Sequence, residues 1–117
     1  YSLSLALHTG ELSEHIVSNR KWIEKAFGIE EKLDFVVADQ THSDNIHLVT
    51  AKETKGWESL ESAIADCDAL VTDQKGVMLG VLTADCVPML MYDLVREVVA
   101  AVHAGWKGTK AQIAAKT

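Results

Sequence analysis

Thr83-Ala84-Asp85-Cys86-Val87-Pro88-Met89-Leu90-Met91-Tyr92-Asp93-Leu94-Val95-Arg96-Glu97-Val98-Val99-Ala100-Ala101-Val102-His103 is the stretch on which the fold turns. Two apolar runs, Val87 to Tyr92 and Glu97 to His103, flank a turn at Asp93-Leu94-Val95-Arg96, the pattern of two antiparallel strands. A hairpin centred between Leu94 and Val95 sets Cys86 directly opposite His103. Opposed residues on neighbouring antiparallel strands have Cβ atoms about 4.5 to 5.5 Å apart, close enough for a thiolate and an imidazole to share one ion. A slip of one residue would turn one of the two side chains to the other face.

Outward from the hairpin, shorter strands are expected at Asp34 to Ala38, Ile46 to Thr50, Ala69 to Thr72 and Val77 to Leu82. A Lys- and Glu-rich segment from Ala51 to Ala65 reads as loop with a helical turn or two, and Thr109 to Thr117 has helical composition. Near the start, Leu3, Leu5 and Leu7 alternate with small or polar residues, which predicts a strand over Tyr1 to Leu7. A helix follows, with Ser13 as N-cap, Glu14 in its first turn and Gly28 as its C-terminal stop. Leu12, Ile16, Ile23 and Phe27 mark its inward stripe, and the vacant place between Ile16 and Ile23 falls to Asn19 or Arg20. The continuous apolar runs of the second half predict a sheet covered on both faces. The class is α/β or α+β with a mixed sheet.

The chain's 117 residues suit one domain, and 48% hydrophobic with 24% charged residues is the balance of a globular protein. The longest strongly apolar stretch, Gly76 to Tyr92, is interrupted by Thr83, Asp85 and Pro88 and falls short of the roughly 20 residues a membrane span needs. A formal charge of -6 with scattered Lys and Arg argues against a nucleic-acid surface. The two cysteines, Cys67 and Cys86, make no disulfide framework, and free thiols suit a reducing cytoplasm. No signal-peptide pattern is present.

A catalytic zinc site typically has three protein ligands and one open position. His42, in Gln40-Thr41-His42-Ser43, is the natural third ligand beside Cys86 and His103. His47 is its rival but lies within the apolar Ile46 to Val49 run. The plainer reading makes Cys86 a small core residue and the histidines local hydrogen-bonding groups. Asp85 suits a general acid/base or a carboxylate that orients a ligand, although a lone Asp at a strand break is commonly a turn residue. Asn19 and Arg20 form a second candidate: a guanidinium near an inward helix face needs an anionic partner, either an ordinary salt bridge or a bound phosphate. Free N–H groups in His103-Ala104-Gly105-Trp106-Lys107-Gly108-Thr109, with Lys107 nearby, could cradle an anion. Cys67 between Asp66 and Asp68 reads as structural.

Taken together, Leu7-His8-Thr9-Gly10-Glu11, Asn19-Arg20, Gln40-Thr41-His42, Asp68-Ala69-Leu70-Val71-Thr72, Thr83-Ala84-Asp85-Cys86-Val87-Pro88 and His103-Ala104-Gly105-Trp106-Lys107-Gly108-Thr109 resemble, in order and spacing, the multicopper polyphenol oxidase (laccase-domain) family, also described as purine nucleoside phosphorylases. The resemblance spans nearly the whole chain. It implies an α/β sandwich and zinc held by His42, Cys86 and His103, with copper the less favoured metal. Residues 1–117 would form one laccase-domain-like unit lacking the family's C-terminal half.

The implied activities are phosphorolysis of adenosine, inosine or methylthioadenosine and deamination of adenosine, with purine nucleosides and phosphate as partners and no nucleic acid or membrane. Deamination would draw on zinc to activate water for attack at C6, with Asp85 handling the proton. Arg20 suits bidentate recognition of phosphate, and the remaining substrate contacts are expected at Asn19, Gln40 and Lys107. Two alternatives stand beside this reading: a copper-dependent polyphenol oxidase, and a noncatalytic metal-binding module.

Overall fold

The computed structural model describes residues 3–27 and 32–117. In chain order these form α1 (Ser13–Ala26), β1 (Asp34–Val37), β2 (Ile46–Leu48), a 3-10 turn (Leu60–Ser62), β3 (Ala69–Thr72), β4 (Val77–Gly80), β5 (Val87–Asp93), β6 (Val98–Ala104), α2 (Trp106–Lys110) and α3 (Ile113–Lys116). Strands β1 and β4 pair in parallel. The other four form a mixed sheet in the order β2-β3-β6-β5, with β2 parallel to β3 and both pairs of β6 antiparallel. This is the mixed α/β class expected, with strands outnumbering helices among the described residues.

The four-stranded sheet has apolar groups on both faces at its centre because successive residues point to opposite sides. Leu70 joins Val36, Ala38, Val49 and Cys67 on one side, while Ala69, Val102 and Ala104 pack with Ile113 of α3 on the other. A third cluster joins Phe35 and Val37 to Trp57, whose ring stacks on Phe35 at 4.6 Å between centroids. At β5 the described residues cover one face. Met89 and Met91 turn to the α3 side, whereas Leu90 is 81% and Tyr92 60% exposed among the described residues.

The β5–β6 hairpin forms with a register two residues away from the expected one: His103 faces Pro88, and Val87 faces Ala104. The cause is the turn. Asp93 Oδ1 accepts the Val95 and Arg96 N–H groups at 2.9 and 3.0 Å, and Glu97 adopts φ 52°, so β5 runs on through Asp93 and the loop is Leu94 to Glu97. A shift of two preserves facing. Cys86 and His103 therefore remain on one side but become diagonal rather than direct neighbours.

Helix α1 begins one residue earlier than expected: Leu12 is the N-cap residue and Ser13 the first helical position, with no side-chain cap. The expected stop at Gly28 lies outside the described residues. Only part of the apolar stripe is inward. Ile16 is fully buried, Ile23 half-buried, and Leu12 and Phe27 exposed. Arg20 fills the vacant core position, 2% exposed, with its guanidinium 4.8 Å from the centre of the Trp57 ring.

The predicted first strand is absent from residues 3–7. Their carbonyls go to helix side chains instead: Asn19 Nδ2 donates to Ser4 O, and Arg20 Nε donates to Leu5 O at 2.8 Å. No helix among the described residues is long and apolar enough to cross a membrane.

Candidate metal centre

Three segments distant in sequence meet at one end of the four-stranded sheet. His103 arrives on β6, Cys86 sits just before β5, and His42 comes from the loop between β1 and β2. Their nearest ligand atoms all lie within 4.8 Å of one another, and Cys86 Sγ is 3.7 Å from His42 Nε2. Zn–S and Zn–N bonds of about 2.3 and 2.0–2.1 Å at a tetrahedral angle place sulfur and nitrogen roughly 3.6 Å apart. The Cys86–His42 separation fits that edge. A thiolate with two imidazoles is also a donor set that zinc accepts readily.

His103 is 3% exposed, and its Nδ1 lies 2.7 Å from Asp68 Oδ1. That bond leaves Nε2 to face the other two ligands. Asp68 is itself 1% exposed and accepts the N–H groups of Thr41, His42 and Ser43 at 3.1, 3.1 and 2.8 Å, together with the Ser43 hydroxyl at 2.8 Å. Burial alone would push the Asp68 carboxyl up. The bonds from His103, Ser43 and Thr41 outweigh it and hold the group below the ordinary carboxylate range. His42 is exposed and adopts φ 62°, a left-handed conformation uncommon outside glycine.

Two further contacts close the site. The Gln40 amide bonds Leu82 in both directions, Nε2 to its carbonyl at 2.7 Å and Oε1 from its N–H at 2.8 Å, which fastens the Cys86 segment to the His42 loop. Gly105 makes room: a Cβ there would lie 2.6 Å from His42 Cδ2 and 3.5 Å from Cys86 Sγ. Gly108 does the same for the loop, since a Cβ would meet Ser43 O at 2.9 Å. The two glycines thus let α2 press against residues 42–43.

Beside the triad is an open cleft of about 300 Å³, lined by Ala6, His8, Thr9, Gln40, Leu82, Thr83, Ala84 and Asp85 as well as His42, Cys86 and His103. Asp85 is exposed on its rim. The other sequence candidates sit elsewhere. Lys107 is exposed on α2 with its Nζ 5.6 Å from the centre of the Trp106 ring, and it does not line the cleft. Asn19 is engaged with Ser4 O at 2.9 Å.

Among the described residues, Arg20 has neither the carboxylate nor the open anion site expected for it. Its Nη1 donates to Gly56 O at 2.7 Å and to Trp57 O at 2.5 Å, and its Nε and Nη2 both donate to Leu5 O. Burial lowers its pKa. His47 is exposed on β2 and outside the triad. Cys67 is buried, with its thiol 3.0 Å from Ala69 O and pushed up chiefly by burial.

The residue that sequence reasoning missed is Asp68. Its one local signal is its position, immediately before the apolar run of β3, where an acidic side chain has to be either turned out or bonded.

A family model for multi-copper polyphenol oxidoreductase laccase matches residues 1–117. The chain belongs to this family. It is 38% identical over 113 residues to purine nucleoside phosphorylase YlmD of Bacillus subtilis (strain 168), covering 96% of this chain and 40% of that protein. It is 33% identical to adenosine deaminase RL5 from an unknown prokaryotic organism, again over 113 residues, covering 96% of this chain and 43% of the relative. The crystal structure of Bacillus licheniformis hypothetical protein YfiH superposes with a TM-score of 0.93 at 40% identity, covering 98% of this chain and 43% of that one. The chain therefore spans about two fifths of the length of the curated relatives it matches.

Proposed function

We propose that this protein is a zinc-dependent purine nucleoside enzyme that cleaves adenosine, inosine or methylthioadenosine with phosphate and deaminates adenosine. The observation that carries the reading is the His42, Cys86 and His103 triad opening onto a cleft of about 300 Å³. Three protein ligands with a free side are the arrangement of catalytic rather than structural zinc. Relatives named purine nucleoside phosphorylase and adenosine deaminase supply the substrate class.

When bound, zinc would supply a Lewis acid able to lower the pKa of water into the neutral range. His103, fixed through Asp68, and Cys86 would hold it from the sheet side, and His42 from the rim. Asp85, on the same rim, is the group we assign to proton transfer at the purine. Phosphate recognition is not drawn from Arg20, because its Nε, Nη1 and Nη2 already bond core carbonyls. The family's description raises the polyphenol oxidase alternative. A laccase passes electrons among several copper ions, and the described residues bring together one three-ligand group.

The test is incubation of the full-length, zinc-loaded protein with adenosine, with and without phosphate. Expected products are adenine and ribose 1-phosphate with phosphate, and inosine without it, both lost in His42→Ala. Turnover in His42→Ala equal to that of the parent would refute a metal-centred reaction, and several copper ions per chain by metal analysis would favour the oxidase.

A further inference from the structure

Outside the three ligands, Asp68 makes more bonds to the site than any other described side chain, and it makes them to two segments at once. Its Oδ1 serves His103 Nδ1 and the His42 N–H, and its Oδ2 serves Thr41 N–H, Ser43 N–H and the Ser43 hydroxyl. The loop bonds come from three successive backbone N–H groups, so residues 41–43 form a concave nest around one carboxylate. The nest requires the left-handed backbone at His42, φ 62°, and so sets the direction in which the imidazole leaves the chain.

We propose that Asp68 is the positioning residue of the metal centre, coupling its two histidines through one carboxylate. On the β6 side it fixes His103 as the Nδ1–H tautomer with Nε2 free. On the loop side it holds the backbone that aims His42. The two ligands are thereby preorganised together before an ion arrives, and disturbing one end of the carboxylate disturbs the other. The inference rests on the reading of His42, Cys86 and His103 as a metal site. It does not depend on which substrate the enzyme turns over.

The experiment uses the full chain, metal-free and zinc-loaded. Long-range ¹H–¹⁵N NMR on the metal-free protein should show His103 with a proton on Nδ1; a neutral ring in the parent with its proton on Nε2 alone overturns the proposal. Competition titration with a chromophoric chelator should show zinc affinity about 10- to 100-fold weaker in Asp68→Asn, the usual range for losing a group that orients a ligand. A folded Asp68→Asn protein that binds zinc with parental affinity also overturns it.

Should Asp68→Asn fail to fold, Ser43→Ala provides the decision. It removes one hydroxyl from Oδ2, and with it the acceptor of the Asn45 N–H, and leaves both histidine side chains in place, yet it should shift the His103 ring signals and the visible spectrum of the cobalt-substituted protein. If both stay as in the parent, the coupling is refuted. Absence of nucleoside turnover with these results intact would refute the proposed function alone.

Discussion

Gly105→Ala is the sharpest perturbation of the centre. The backbone at this position has φ −73° and ψ 172°, ordinary extended geometry that alanine adopts freely, so no conformational strain enters. What enters is one methyl group, 2.6 Å from His42 Cδ2 and 3.5 Å from both His42 Cγ and Cys86 Sγ. Carbon atoms in contact prefer about 3.5 to 4.0 Å, so the imidazole has to move by roughly 1 Å. It has somewhere to go, since His42 is exposed on the rim. The ring swings outward and the fold is little disturbed, with an expected stability change within about 0.5 to 1 kcal/mol. Metal geometry tolerates only about 0.5 Å of error, so zinc affinity should fall at least tenfold, about 1.4 kcal/mol. Chelator competition measures the affinity and urea denaturation of the metal-free protein measures the stability. Gly108→Ala is the internal contrast: its Cβ would meet the Ser43 carbonyl oxygen at 2.9 Å, a backbone atom that cannot rotate away, so it should lose stability as well. Parental zinc affinity in a folded Gly105→Ala protein would refute the steric account of the centre.

Three other outcomes follow from named contacts. Arg20→Met keeps the bulk but leaves the Leu5, Gly56 and Trp57 carbonyls without their donor; at about 1 to 3 kcal/mol for each buried group left unpaired, the bonds to Gly56 and Trp57 being the buried two, urea denaturation should show a loss of at least about 2 kcal/mol, and an unchanged midpoint would show that water replaces the guanidinium. Iodoacetamide applied to the native metal-free protein should label Cys86 and spare Cys67, which is buried with its thiol pushed up; peptide mapping reads the sites, and zinc should protect Cys86. Gln40→Ala removes both bonds to Leu82, so zinc release chased by excess chelator should quicken several-fold while the overall fold persists. An unchanged release rate would mean that the Cys86 segment is held by other contacts.

How much of this was legible depended on how local the cause was. The hairpin could be read because its two apolar runs and turn lie within a few residues of each other. Its register could not, because the displacement comes from the Asp93 side chain binding Val95 and Arg96 N–H and from the left-handed Glu97, details that residue types do not dictate. The gap in the α1 stripe pointed correctly to Asn19 or Arg20. The partners of Arg20 were out of reach, since they are backbone carbonyls at Leu5, Gly56 and Trp57 that carry no side-chain signature. The alternation of Leu3, Leu5 and Leu7 misled for a related reason: carbonyls that a neighbouring strand would use are taken by Asn19 and Arg20.

The centre itself was legible as three residue types and obscure as an assembly, and the difference lies in the groups that join its parts. Asp68 links β3 to the His42 loop and to β6, Gln40 links that loop to the Cys86 segment, and Gly105 sets how closely α2 approaches. Two of these joints use polar side chains, Gln40 on the backbone of Leu82 and Asp68 on both the loop backbone and the His103 ring, and the third is the absence of a side chain. The resulting site is graded: His103 is 3% exposed and pinned, Cys86 is half-buried, and His42 is exposed on a loop. An ion reaching the triad from the cleft therefore meets two ligands whose positions are set by the sheet and a third whose position is set by three N–H groups on one carboxylate. The buried ligand stands at the back of the site and the exposed one at the rim, on the side of the cleft.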